Sequence, residues 1–133
     1  MIPRLLVDTN AYTALFAGHE GIADLISDSE AILLSAVVVG ELLDGFLGGT
    51  REEENRHDLE QMRAKSRTVV VPITADTAEW FATVKQQLRR KGTPIPINDV
   101  WIAASALEHG ATLVSLDRHF ENVDGLLRRL VPA

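Results

Sequence analysis

The sequence predicts an α/β protein, a three-layer α/β/α sandwich with a central, mostly parallel sheet. Three observations carry that prediction. Short apolar runs of strand length, residues 4–7, 31–34, 68–72 and 113–116, alternate along the chain with segments of helical pattern. Such alternation builds a parallel sheet covered by helices on both faces. Aspartates, Asp8 and Asp117, stand directly after the first and last of these runs. Right-handed crossovers gather the carboxyl ends of parallel strands on one edge, where ligands bind. No internal repeat, low-complexity tract or linker interrupts the pattern. A length of 133 residues suffices for a proper core, so residues 1–133 are read as a single domain.

The elements follow in order. Arg4 to Val7 forms the first strand, and Asp8 or Thr9 caps a helix over residues 11–17 that Gly18 stops. A second short helix covers residues 22–26, and the SDSE segment after it reads as a polar turn. After the strand at 31–34, Ser35 caps a helix through AVVVGELLDGFL that carries Glu41 and ends at Gly48 and Gly49. Its valines 37–39 favour strand over helix, which blurs that boundary. Residues 51–67 are highly charged, with Leu59 and Met62 the only large apolar positions. They predict an exposed helix laced by pairs such as Glu52–Arg56. After the strand at 68–72, Thr74 or Asp76 opens a long amphipathic helix with Ala78, Phe81, Ala82, Val84 and Leu88 at core spacing. That helix closes in Arg89, Arg90 and Lys91 before Gly92. Pro94 and Pro96 hold the next helix off until Asn98 or Asp99 caps it. From Val100 to Leu107 its apolar residues surround the axis, as in a helix buried on most sides. Gly110 suits the left-handed position that ends it. A final apolar segment spans residues 126–131.

Composition narrows the class. Hydrophobic residues at 46% and charged residues at 24% are those of an ordinary soluble globular protein. The absence of cysteine excludes disulfides and thiolate metal sites. The amino-terminal apolar run is too short for a signal peptide and is interrupted by Asp8. No window approaches the roughly 20 apolar residues of a membrane span. The expectation is a cytoplasmic protein with no membrane attachment. A net charge of -6 argues against nonspecific capture of nucleic acid. It leaves a nucleic-acid enzyme open, because a divalent metal reverses the sign of a carboxylate site.

Asp8, Glu41, Asp99 and Asp117 form the candidate site. Each has an ordinary reading: Asp8 and Asp99 as helix caps, Glu41 as an exposed helix position, Asp117 as the start of the DRHF turn. What favours chemistry is their coincidence. Converging carboxylates without an evident set of buried cations repel one another unless a divalent cation binds. Oxygen ligands suit Mg²⁺ or Mn²⁺ rather than zinc. The four histidines are scattered and read as surface residues, with His119, two residues past Asp117, a partial exception. No G-x-S-x-G elbow, P-loop or dinucleotide fingerprint occurs. An aspartate-nucleophile phosphotransferase would need a second acid where Asn10 stands.

The ordered set LLVDTN, SAVVVGELLDG and INDVWIAASALEHGATLVSLDRHF resembles the PIN-domain ribonucleases, particularly the VapC-type toxins of toxin–antitoxin pairs. The resemblance runs over essentially the whole chain. It implies a PIN-like fold, an acidic quartet of Asp8, Glu41, Asp99 and Asp117, and supporting roles for Asn10 and Ser115. It implies Mg²⁺- or Mn²⁺-dependent hydrolysis of RNA, with Asp8 and Asp99 binding metal directly and Glu41 and Asp117 through water or a second ion. Ser115 would fix the angle of a ligand carboxylate. A cognate antitoxin and a homodimer are the implied partners. The surplus apolar surface of Leu42, Leu43, Phe46 and Leu47 suggests the antitoxin groove. Arg89, Arg90, Arg118 and His119 are candidate phosphate contacts. The alternatives are a noncatalytic PIN-like binding module and an RNA-processing nuclease without a toxin role.

Overall fold

The computed structural model describes residues 1–133. The sheet is built from β1 (Ile2–Val7), β2 (Ser29–Ser35), β3 (Thr68–Val71), β4 (Thr112–Ser115) and β5 (Arg128–Leu130). Its order is β3-β2-β1-β4-β5, and every pairing is parallel. The helices are α1 (Thr9–Phe16), α2 (Glu20–Ser27), α3 (Ala36–Leu47), α4 (Glu52–Ala64), α5 (Ala75–Lys91) and α6 (Ile97–Glu108).

The strand order explains where a site can form. From β1 the chain steps outward to β2 and β3, then returns past both to β4 on the other side of β1. Right-handed crossovers therefore set α1 to α4 on one face and α5 and α6 on the other. Connections leave β1 and β4 toward opposite sides, so a crevice opens past their carboxyl ends. Val7 pairs with Val114 at that point, and Asp8 and Asp117 follow within a few residues. The central strands are apolar on both faces because both are covered: Leu5, Leu6, Val7, Leu113 and Val114 are all buried.

Local chemistry sets the helix ends. Ser35 caps α3 by accepting from the Val38 N–H at 3.1 Å. Thr74 and Thr77 form a reciprocal capping box at the start of α5. Gly110, at φ 59°, ends α6: its N–H donates to Leu107 and the Ala111 N–H donates to Ala106. Such a Schellman closure needs a left-handed residue, which glycine supplies without strain. As expected, α6 is buried on most sides, with Val100 and Ile102 through Ala106 inside.

Several sequence expectations are corrected. β2 begins at Ser29, so the second half of the SDSE segment is strand rather than turn: Ser29 pairs with Ile2 and its hydroxyl donates to the Leu25 carbonyl. The valines 37–39 lie within α3, where the burial of Val38 outweighs β-branched propensity. In α5, Ala78 and Ala82 are exposed, and the inward stripe runs Thr77, Phe81, Val84, Leu88. Thr77 hides that phase because its buried hydroxyl donates to Glu108 at 2.5 Å, a pairing that hydropathy cannot register. α6 starts at Ile97 with Pro96 at its N-cap, so neither Asn98 nor Asp99 is a cap; both lie in its first turn. No helix is long and apolar enough to cross a membrane.

Candidate metal centre

The site is assembled around one hydroxyl. Asp8 caps α1, its Oδ1 accepting from the Ala11 N–H at 2.8 Å. Its Oδ2 accepts from Ser115 Oγ at 2.5 Å, and the Ser115 hydroxyl oxygen in turn accepts the Asp117 N–H at 2.9 Å. Ser115 therefore ties the end of β1 to the turn after β4, and both Ser115 and Asp8 are buried. The capping role of Asp8 and its place in the site are not alternatives, since its two oxygens face different ways.

The other acids arrive from separate elements. Asp117 opens a 3₁₀ turn over Arg118–Asn122, accepting the His119 N–H at 3.3 Å. The His119 ring enters between two carboxylates, with Nδ1 2.8 Å from Asp117 Oδ1 and Nε2 3.0 Å from Asp99 Oδ2. Glu41 reaches across from α3, where its Oε1 accepts from Thr9 Oγ1 at 2.6 Å and its Oε2 from Asn98 Nδ2 at 3.3 Å. The chain neighbours of Asp8 and Asp99 thus hold Glu41 in place.

Electrostatics separate these acids from ordinary surface carboxylates. No Lys or Arg forms an ion pair with any of the four. Burial pushes the Asp8 carboxyl up from 3.8 to about 6, against the donors Ser115 and Ala11 and with added repulsion from Asp99 and Asp117. Burial also raises Asp99; His119 opposes that shift, while Glu41 and Asp117 reinforce it. An acid that has lost water and gained acidic neighbours favours a bound cation.

A divalent ion fits this donor set. Ligand atoms of Asp99, Asp117 and His119 all lie within 4.8 Å of one another. His119 Nε2 is buried and lies at ion-pair distance from Asp99, 3.0 Å from its Oδ2, without a well-formed hydrogen bond. Oxygen-rich sites of this kind suit Mg²⁺ or Mn²⁺.

The remaining candidates fare unevenly. Asn10 is exposed and lines a shallow groove with Asp117, Thr13 and Leu116. Arg118 pairs with Glu121 at 2.6 Å, an intraturn partner that draws its charge along the turn. Arg89 and Arg90 sit exposed at the end of α5 without an ion pair or hydrogen bond to the acids. Arg89 instead borders a separate pocket with Lys85, Gly92 and Ile95. His119 belongs to the acidic cluster rather than to the surface. The sequence offers Thr9 and Asn98 only as possible helix caps and not as partners of Glu41, although each adjoins an acid of the quartet; that adjacency is the available signal.

The apolar surface of α3 also divides. Leu42 is core, Leu43 and Phe46 are half-buried, and Leu47 is exposed. A groove of about 260 Å³ does open, but only Phe46 of these four lines it, with Tyr12, Phe16, Arg51, Asn55 and Asp58. The apolar run on α3 therefore marks this groove only in part, because helix periodicity turns Leu42 inward and Leu47 away.

Comparison with known proteins agrees with this architecture. The family model of the PIN domain matches residues 5–126. The chain is similar to ribonuclease VapC5 of Mycobacterium tuberculosis, 27% identical over 120 residues, spanning 90% of this chain and 87% of that protein. It is likewise similar to ribonuclease VapC2 of Rickettsia felis, 27% identical over 105 residues, spanning 78% and 77%. Among solved structures, DNA-bound VapBC from Salmonella typhimurium superposes with a TM-score of 0.83 at 23% identity, covering 96% of this chain and 98% of that one. VapBC-1 from nontypeable Haemophilus influenzae gives 0.82 at 23% identity, covering 96% and 97%. At that identity the structural likeness speaks for the fold. The chain belongs to the PIN domain family.

Proposed function

We propose that this protein is a metal-dependent endoribonuclease, the toxin of a toxin–antitoxin pair. The observation that carries the reading is the group of four carboxylates at the β1/β4 switch point, unpaired with Lys or Arg, two of them with raised pKa values. The relatives named ribonuclease VapC support RNA as the substrate. Asp8 and Asp99 would bind Mg²⁺ or Mn²⁺ directly, with Glu41 and Asp117 acting through water or on a second ion.

A divalent ion held there supplies positive charge against the phosphodiester and acidifies water. The side chains do the rest. Ser115 and the Ala11 N–H fix both oxygens of Asp8, so its orientation is set before any ligand arrives. Thr9 and Asn98 do the same for Glu41. A carboxylate of the cluster would accept the proton of the attacking water. Asn10, which lines a shallow groove with Asp117, would meet the RNA backbone.

The partners follow the same reading. The antitoxin's apolar tail would lie in the Tyr12, Phe16 and Phe46 groove, with Arg51 beside it for an acidic flank. The chain would act as a homodimer in the cytoplasm, each copy a single domain over residues 1–133.

Titration calorimetry with Mg²⁺ and Mn²⁺, on the wild type and on Asp99→Asn, tests the metal; cleavage of an RNA pool with and without chelator tests the activity. Binding and cleavage that both vanish in Asp99→Asn are expected. A folded wild type that binds neither ion would instead make this chain a noncatalytic PIN-like binding module.

A further inference from the structure

The geometry points to His119 as a direct nitrogen ligand of the metal, with Asp117 acting behind it rather than on the ion. This inference rests on the metal-binding reading above and assigns one of its positions differently.

Three observations carry it. First, His119 Nε2 is buried, 3.0 Å from Asp99 Oδ2, and has no hydrogen-bond partner. A buried ring nitrogen without a partner calls for an explanation, and an ion is one of few available. Second, the spacing suits ligation. Neighbouring ligands on an octahedral ion with bonds of roughly 2.0–2.1 Å stand about 2.9 Å apart, which the Nε2–Oδ2 separation approaches. Third, a second acid stands at the other edge of the ring. Nδ1 lies 2.8 Å from Asp117 Oδ1, an ion-pair contact, and the same oxygen accepts the His119 backbone N–H at 3.3 Å. A carboxylate beside one ring nitrogen favours the tautomer protonated there, which leaves the other nitrogen free to ligate. Phe120, fully buried beside it, packs its ring 4.7 Å from the imidazole and anchors the turn.

The donor set is then mixed, with a nitrogen among oxygens. Imidazole is a poor ligand for Mg²⁺ and a better one for transition ions, so the site prefers Mn²⁺ to Mg²⁺. Asp117 becomes a positioning residue. Its loss is expected to weaken Mn²⁺ binding about 10- to 100-fold, the range seen when a group supporting a metal ligand is removed.

Electron spin-echo spectroscopy of the Mn²⁺-loaded protein reads the contact directly. The wild type is expected to show nitrogen modulation that changes to the ¹⁵N pattern when the protein is made with ¹⁵N-labelled histidine. His119→Ala should lose that modulation and lose more affinity for Mn²⁺ than for Mg²⁺. Asp117→Asn should keep it while binding more weakly. A wild type that binds Mn²⁺ through Asp99 but shows no histidine modulation overturns the inference and leaves the metal reading standing. Modulation that survives in His119→Ala also overturns it, as does tighter Mn²⁺ binding by that variant, since the ring would then be only a counter-cation displaced on loading. Failure of the wild type to bind Mn²⁺ at all removes this inference together with the metal-binding reading itself.

Discussion

Along α4, Glu52 lies 2.9 Å from Arg56 and Glu54 2.5 Å from Arg51, both pairs in solvent and both on neighbouring turns. Past the ends of β1 and β4, Asp8, Glu41, Asp99 and Asp117 come from four separate elements, and no Lys or Arg answers them. The residue types are the same; the dielectric and the company differ. In those two pairs each acid arrives with its partner one helical turn away, so pairing is local and weak. At the sheet edge the fold brings acids together and withholds Lys and Arg, which leaves unfavourable charge that a bound metal would relieve. Net charge alone would never separate the two, since every one of these acids contributes equally to it.

The largest expected effect is on chemistry. Asp99→Asn should take RNA cleavage to background, because it removes a carboxylate proposed to bind the metal directly. Glu52→Gln on α4 should leave cleavage unchanged in the same assay. Equal losses from both would erase the distinction between the regions.

The second effect is on the stability of the metal-free protein. Asp8 binds its proton more tightly when folded, about 6 against 3.8 unfolded. Its contribution is therefore most favourable at low pH and is lost as pH rises from near 4 to above 6. The shift corresponds to about 3 kcal/mol of folding free energy at neutral pH. Urea unfolding in chelator across that window should show the decline in the wild type, and Asp8→Asn should flatten it. A wild type that instead gains stability on passing from pH 4 to 6, relative to Asp8→Asn, would reverse the sign and refute the buried-acid account.

Next comes the hydroxyl that joins the strands. Ser115→Ala leaves the Asp117 N–H and Asp8 Oδ2 without their buried partner, a change worth about 1–3 kcal/mol. Metal affinity should fall with it, since Asp8 loses the donor that fixes its orientation. Ser115→Thr, which keeps the hydroxyl, should restore most of both, as unfolding and calorimetry would reveal. The smallest effect belongs to α4, where Glu52→Gln should cost about 0.5 kcal/mol or less, and less still in high salt.

Legibility in the sequence followed the same divide between local and distant. The strand runs, the α6 pattern and the Gly110 stop were readable because each depends on residues within a turn or two of one another. The alternation of strands and helices was enough for a parallel sheet and for acids on one edge of it. The phase of α5 was misread at Ala78 and Ala82 because Thr77 is buried by a bond to Glu108, 31 residues away. The expectation of surplus apolar surface on α3 fails at Leu42, which is buried, for a related reason: an apolar run does not say which side faces the sheet.

The sequence by itself determined which carboxylates are available and that strand ends would present Asp8 and Asp117. Only the tertiary structure decided what surrounds them. The strand order β3-β2-β1-β4-β5 made β1 and β4 neighbours, so that Ser115 meets Asp8 across 107 residues of chain. It also brought His119 against Asp99 and Glu41 between Thr9 and Asn98. Propensity and capping act over a few residues and are written in local order. The pKa of a buried carboxylate, and the ligand set of a metal, depend on groups that meet only when the crossovers close.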